Sequence, residues 1–159
     1  MTREAIIVSA AAALYLLFLL IRALRGGRVK RRVRALARNA VEMTPNEFFR
    51  MRNRSESGRG RAHISGKYDF EGVYILYNRT KSMYYVGQAQ SVLGRINQHL
   101  TGHGNGDVYA DYKYGDRFTV TAIRLRGSGF GTLNELERHA ISVYNAYSKG
   151  YNKTRGNRG

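Results

Sequence analysis

The sequence predicts an α+β domain, a small three-stranded antiparallel sheet flanked by helices, preceded by an N-terminal transmembrane helix. Three observations predict it. Residues 5–21 form a run of 17 uncharged and mostly aliphatic residues. Residues 73–86 and 118–125 alternate like strands, and two later segments join helix-start signals to an apolar stripe at helical spacing.

The uncharged run sits at the lower end of the length that crosses a bilayer, extended to Leu24 if Arg22 snorkels toward headgroups. Its small residues come early and it is followed by Arg22-Ala23-Leu24-Arg25, so an uncleaved anchor over 1–25 fits better than a cleaved signal or a buried helix. Eight Lys/Arg between Arg22 and Arg38 stand against Arg3 balanced by Glu4, which places the C-terminal side in the cytoplasm.

Residues 26–66 read as a basic juxtamembrane linker with a short helix. Thr44-Pro45-Asn46-Glu47 announces that helix, with a Thr cap, Pro at the first position and Glu three after the cap, running through Phe48, Phe49 and Met51. Residues 55–60 are a Gly/Ser/Arg linker. Arg50, Arg52, Arg54, Arg59 and Arg61 are compatible with a polybasic tether and with added nonspecific nucleic-acid affinity.

Formal charge is +16, of which residues 22–61 carry 13 Lys/Arg against 3 Asp/Glu and residues 62–159 carry 13 against 7. Such an excess favours polyanions, either nucleic acid or an anionic membrane face. No Cys is present, which excludes disulfides and thiolate zinc sites.

Residues 67–159 hold one domain. Residues 73–77 form a strand, 78–82 a polar turn and 83–86 a second strand; alternation sends Tyr74 and Leu76 to one face and Val73, Ile75 and Tyr77 to the other. Ser91 is a plausible cap for a helix running to about Leu100, with Arg95 and His99 sharing a face. Gly94 inside that helix costs about 1 kcal/mol relative to Ala, and close approach of a nucleic-acid backbone is one reason to accept it. Residues 107–112 read as a short helix or turn with Tyr109, Tyr112 and Tyr114 mainly for packing, and 118–125 as a third strand.

The last helix starts at Leu133, with Thr132 and Glu135 as a capping box. Glu137 has no capping role. Projected at 100° per residue it falls among Leu133, Ala140, Ile141 and Tyr144, inside the stripe that faces the domain. An unpaired carboxylate there costs several kcal/mol or takes up a proton, and a cation or a nearby Arg removes that penalty.

Gly72-Val73-Tyr74, Tyr85-Val86-Gly87, Gln88-Ala89, Arg95, His99, Glu137 and Gly150-Tyr151-Asn152 follow one another in an order that resembles the GIY-YIG nuclease superfamily. Val replaces Ile in each tripeptide, keeping the β-branch. The resemblance implies cleavage of phosphodiester bonds with Tyr74, Tyr85, Arg95, His99, Glu137 and Asn152 as site residues. It implies Tyr85 as general base aided by Tyr74, Arg95 steadying phosphate charge, His99 supporting a phosphate contact and Asn152 bracing the centre. Glu137 is implied as the ligand of one divalent cation, with Mg²⁺ the default. A free phenol has a pKa near 10, so Tyr85 needs help to act as a base. Gln88, Lys153 and Arg155 are the candidates for nucleic-acid contact, with DNA or RNA as partner and no small-molecule cofactor. No recognition domain follows Asn152 in the sequence, so low sequence specificity is expected. The competing readings are a membrane-tethered module that binds nucleic acid without cutting it and an anchor that organises anionic lipid.

Overall fold

The structure, a computed structural model, describes residues 3–53 and 68–157. The expected Gly/Ser/Arg linker, with Arg54, Arg59 and Arg61, lies outside the described residues.

The chain divides into two units, Met1–Arg32 and Val33–Gly159. The first consists of helix α1 (Arg3–Asn39) as far as Arg32. It is long and apolar enough to cross a membrane by length and composition, and Leu14, Leu17, Phe18 and Leu20 are all exposed. The basic stretch that reads as a linker continues the helix to Asn39. In the second unit, the last turns of α1 place Val33, Leu36 and Ala37 in a core, at spacings of three and four that the intervening arginines disguise in the sequence.

The sheet has four strands, not the three expected. Its order is β1 (Glu42–Met43), β4 (Phe118–Arg124), β2 (Gly72–Asn78) and β3 (Met83–Ala89), antiparallel throughout. The extra strand is two residues long and rests on β4 alone, with Glu42 opposite Thr121 and Met43 opposite Val120. Two residues leave no period for a pattern to reveal. Helix α2 (Pro45–Arg52) begins at the predicted capping box: Thr44 accepts from the Glu47 N–H, and the Glu47 carboxylate accepts from the Thr44 N–H at 2.7 Å.

Helices cover both faces. Tyr74 and Leu76 pack with Val92, Ile96 and Leu100 of α3 (Val92–Leu100) and Val108 of α4 (Gly106–Lys113). Val73, Ile75 and Val86 pack on the other face with Leu136, Ala140 and Ile141 of α5 (Leu133–Val143). This is the predicted alternation, and register fixes it: Tyr74 lies opposite Gly87 and Leu76 opposite Tyr85.

The cap of α3 departs from expectation. Ser91 makes no side-chain cap. The carboxylate of Asp69 takes that place, accepting from the N–H groups of Leu93 (2.8 Å) and Gly94 (3.0 Å), while Ser91 donates its hydroxyl to the same carboxylate. A Cβ on Gly94 would lie 2.6 Å from Ser91 Oγ, so the glycine makes room for this cap and its helix-propensity cost is repaid without any nucleic acid. At α5 the expected box is half formed. Thr132 accepts from the Glu135 N–H, but the Glu135 carboxylate turns to the N–H of Gly131.

Candidate active site

Edge strand β3 organises the site. An edge strand presents unpaired backbone groups on its outer side, and here alternate residues 84, 86 and 88 all find partners. The Tyr84 carbonyl accepts from the N–H of Tyr151 at 2.9 Å. Val86 donates its N–H to Asn152 Oδ1 (2.8 Å) and accepts from Asn152 Nδ2 (2.7 Å), so this side-chain amide pairs with the strand as another peptide group would. The Gln88 N–H goes to the carboxylate of Glu137. Tyr151 is itself fixed from β2, accepting from Asn78 Nδ2 at 2.7 Å and donating to Asp111 at 2.6 Å. Asn152 is therefore placed as a brace of the strand that carries Tyr85.

On the α3 side of that strand, Tyr74, Tyr85 and His99 cluster with ring centroids 4.7–6.1 Å apart. Tyr74 and His99 are fully buried and Tyr85 half-buried. The Asn105 N–H donates to His99 Nδ1 at 2.9 Å. A backbone N–H cannot accept, so the neutral imidazole carries its proton on Nε2 and donates it to the Tyr74 oxygen, 2.9 Å away. The Tyr74 hydroxyl proton is left for Tyr85, a bond that works to lower the pKa of Tyr85. Hydrogen bonds thus run in one direction, from the Asn105 amide through His99 and Tyr74 to Tyr85. With both ring nitrogens engaged and no exposed surface, His99 has nothing to offer a phosphate directly, contrary to the supporting contact expected.

Burial raises the pKa of Tyr74 well above the ordinary phenol value, with the Tyr85 hydroxyl adding to the rise and Arg95 opposing it. Burial also raises that of Tyr85, while the Tyr74 hydrogen bond and the Arg95 charge pull it down and Glu137 pushes it up. Arg95 is exposed and steadied by Gln98, to which its Nη1 donates at 2.6 Å. Burial, then the Arg95 charge, depresses His99 to about 4.

That depression makes stability acid-sensitive. Unfolded, the ring titrates near 6.5. A group whose pKa falls on folding stabilises the fold fully above 6.5, and the contribution disappears as pH drops from 6.5 toward 4, about 3 kcal/mol in all. Thermal melts across that window should fall steeply for the unaltered protein and less so for His99→Gln. Equal acid slopes would mean that His99 is not held neutral.

Glu137 reaches the same edge from α5. Only 9% of it is exposed. Burial raises its pKa above the ordinary 4.5, opposed by the backbone N–H donors of Asn157 and Gln88. Tyr74, Tyr85, Arg95, His99 and Glu137 thus form one group coupled across the β3 edge, with Asn152 behind it. Among the described residues no cluster of three or more His, Asp and Glu side chains could hold a metal ion.

The side chains expected to contact nucleic acid have partners within the domain. The Gln88 side chain donates to Asn134 on α5 at 2.6 Å. Lys153 pairs with Asp107 at 2.6 Å on the surface, and Arg155 lies 5.2 Å over the ring of Tyr147. Of the tyrosines in and after α4, Tyr112 packs edge-on against Phe118, whereas Tyr114 is exposed. Sequence reasoning missed Asp69 and Asn105, which act through local backbone geometry that no spacing announces.

No curated protein matches the chain. A solved structure described as the catalytic domain of intron endonuclease I-TevI, a point mutant, is similar at 21% identity over 56% of this chain and 98% of that one, with a TM-score of 0.44. The family described as the GIY-YIG catalytic domain matches residues 70–152, which takes in both tyrosine tripeptides, α3, α5 and the closing Gly-Tyr-Asn. The chain therefore belongs to the GIY-YIG family and carries that family's endonuclease catalytic domain.

Proposed function

We propose that this chain is a membrane-tethered endonuclease that hydrolyses DNA phosphodiester bonds with low intrinsic sequence specificity and depends on a divalent cation. The observation that carries the reading is the meeting of a buried carboxylate, Glu137, with the Tyr74–Tyr85–His99–Arg95 group at one strand edge. A non-catalytic binding module would have no need of a carboxylate whose burial raises its pKa.

The donor set fits a hard cation. One buried carboxylate oxygen suits Mg²⁺, which keeps several waters and completes its shell with substrate phosphate. Glu137 would hold the ion, which when bound supplies charge neutralisation at the phosphate and at the departing oxygen. The other steps fall to the chain's own residues. Arg95, exposed at the rim, binds the phosphate and stabilises the negative charge that accumulates on it. Tyr85, as its phenolate, takes the proton of the attacking water; the new P–O bond forms to that water as the bond to the departing sugar oxygen breaks. The Tyr74 hydroxyl bond and the Arg95 charge favour the phenolate, whereas burial opposes it and is the larger effect. Cleavage should therefore accelerate with rising pH above neutrality. His99 keeps Tyr74 turned as a donor toward Tyr85, and Asn152 holds the strand.

The full chain in detergent, incubated with supercoiled plasmid and Mg²⁺ over a pH series, should nick it. Arg95→Ala should lower the rate by about 10²–10³-fold. Binding without nicking at any pH would select the non-catalytic module.

The tether rests on the exposed apolar helix surface and the basic residues that follow it. The chain should float with vesicles in high salt, and a variant lacking residues 3–24 should stay behind. Release of the unaltered chain by salt alone would mean that basic residues, rather than an inserted helix, hold it.

A further inference from the structure

A cavity of about 380 Å³ on the C-terminal half of α5 is not used by the chemistry above. Arg138, Ser142, Asn145, Tyr147 and Arg155 line it over a floor made by Ile141 and Gly156. Among the described residues neither Arg138 nor Arg155 forms an ion pair, unlike Lys81 and Lys153. Arg155 instead faces the Tyr147 ring, which is 44% exposed.

Placement links the cavity to the cutting centre. Ile141 stands about one helical turn, roughly 6 Å along the axis, beyond Glu137. The chain after Asn152 lies directly on α5: Gly156 has φ +96°, and a Cβ there would come within 3.3–3.4 Å of Arg138 and Ile141. The next residue, Asn157, turns its N–H to the Glu137 carboxylate. The chain that lines the cavity at Arg155 and Gly156 therefore reaches that carboxylate one residue later.

We infer that this cavity receives one unpaired nucleotide of the substrate strand, next to the phosphodiester cut at Glu137, with its base on Tyr147 and its phosphate between Arg138 and Arg155. The inference rests on the endonuclease reading and adds a substrate class to it, DNA with an unpaired nucleotide beside the scissile bond. The half-exposed Tyr147 ring is a surface on which any base stacks once Arg155 turns from the ring to the phosphate, where Arg138 supplies a second positive charge. Ser142 and Asn145 add side-chain groups able to hydrogen-bond base edges or sugar. A phosphate alone would gain nothing from the ring.

The test uses the full chain in detergent and two DNA duplexes, one fully paired and one bearing an unpaired 2-aminopurine nucleotide at a flap junction. In EDTA, binding should quench the 2-aminopurine. Tyr147→Ala should abolish the quench and weaken binding of the flapped duplex about tenfold, whereas Tyr147→Phe retains both. Arg138→Gln should reduce the salt dependence of binding by roughly one phosphate contact. With Mg²⁺, the unaltered chain should cut the flapped duplex faster than the paired one, and Tyr147→Ala should lose that preference. Cutting without quenching, or equal rates on both duplexes, overturns the inference and leaves the endonuclease reading intact. Quenching without cutting of either duplex does the reverse. Loss of binding in Arg138→Gln but not in Tyr147→Ala would reduce the cavity to a phosphate site and overturn the nucleotide assignment.

Discussion

Glu137→Gln should lower plasmid nicking by on the order of 10³-fold and raise the melting temperature of the same protein by a few degrees. The first effect follows from losing the only buried carboxylate among the described residues. The second follows from the direction of its pKa. Burial raises Glu137 above the 4.5 of an unfolded chain. Between 4.5 and the folded value the unfolded chain gives up its proton first, so the stability present below 4.5 is lost as pH rises through the folded pKa, and at neutral pH the charge is a burden. Gln keeps the shape and can still accept from the N–H groups of Gln88 and Asn157. Opposite signs on activity and stability mark a residue retained for function. A variant both inactive and less stable would show that Glu137 is a structural acceptor instead.

Gly87→Ala should cost the domain about 3–5 kcal/mol for one added methyl. Gly87 lies opposite Tyr74 on the adjacent strand, and the Tyr74 ring crosses the space above it. A Cβ would fall on the Tyr74 hydroxyl and 2.5 Å from Cζ. The ring, only 1% exposed, cannot tilt aside without leaving His99, so it must vacate its site. Displacing a buried aromatic costs about 3–5 kcal/mol, and it also removes the donor that faces Tyr85. Urea midpoints for Gly87→Ala, Tyr74→Ala and the double variant should show strong coupling, because the added methyl does little harm once the ring is gone. Additive losses would mean that the two residues do not compete for one space.

The glycine of the second tripeptide is thus explained by packing that the sequence does not display. What was legible had a period or a local signal. Glu137 stood out because a carboxylate interrupted a stripe at 100° per residue, the hairpin faces because Tyr74 and Leu76 alternate with Val73 and Ile75, and the start of α2 because its box closes within four residues. What was hidden depends on distance or brevity. Asp69 caps a helix from 24 residues before Leu93. Asn105 fixes the His99 tautomer through a backbone N–H, which any residue but proline supplies. The arginines around Val33, Leu36 and Ala37 diluted a genuine apolar face, and β1 is too short to alternate. Asn152 was legible as the end of a motif, but its partners on Val86 are 66 residues away.

Sealing of β3 by residues 151–152 also sets an order of events during synthesis. The hairpin, α3 and β4 emerge from the ribosome well before Tyr151 and Asn152, so a nascent domain holds β3 with one side bare. Bare strand edges recruit other chains. Polypeptides released before residue 151 should be inactive and prone to clump, and the domain is assembled only once residues 151–152 arrive.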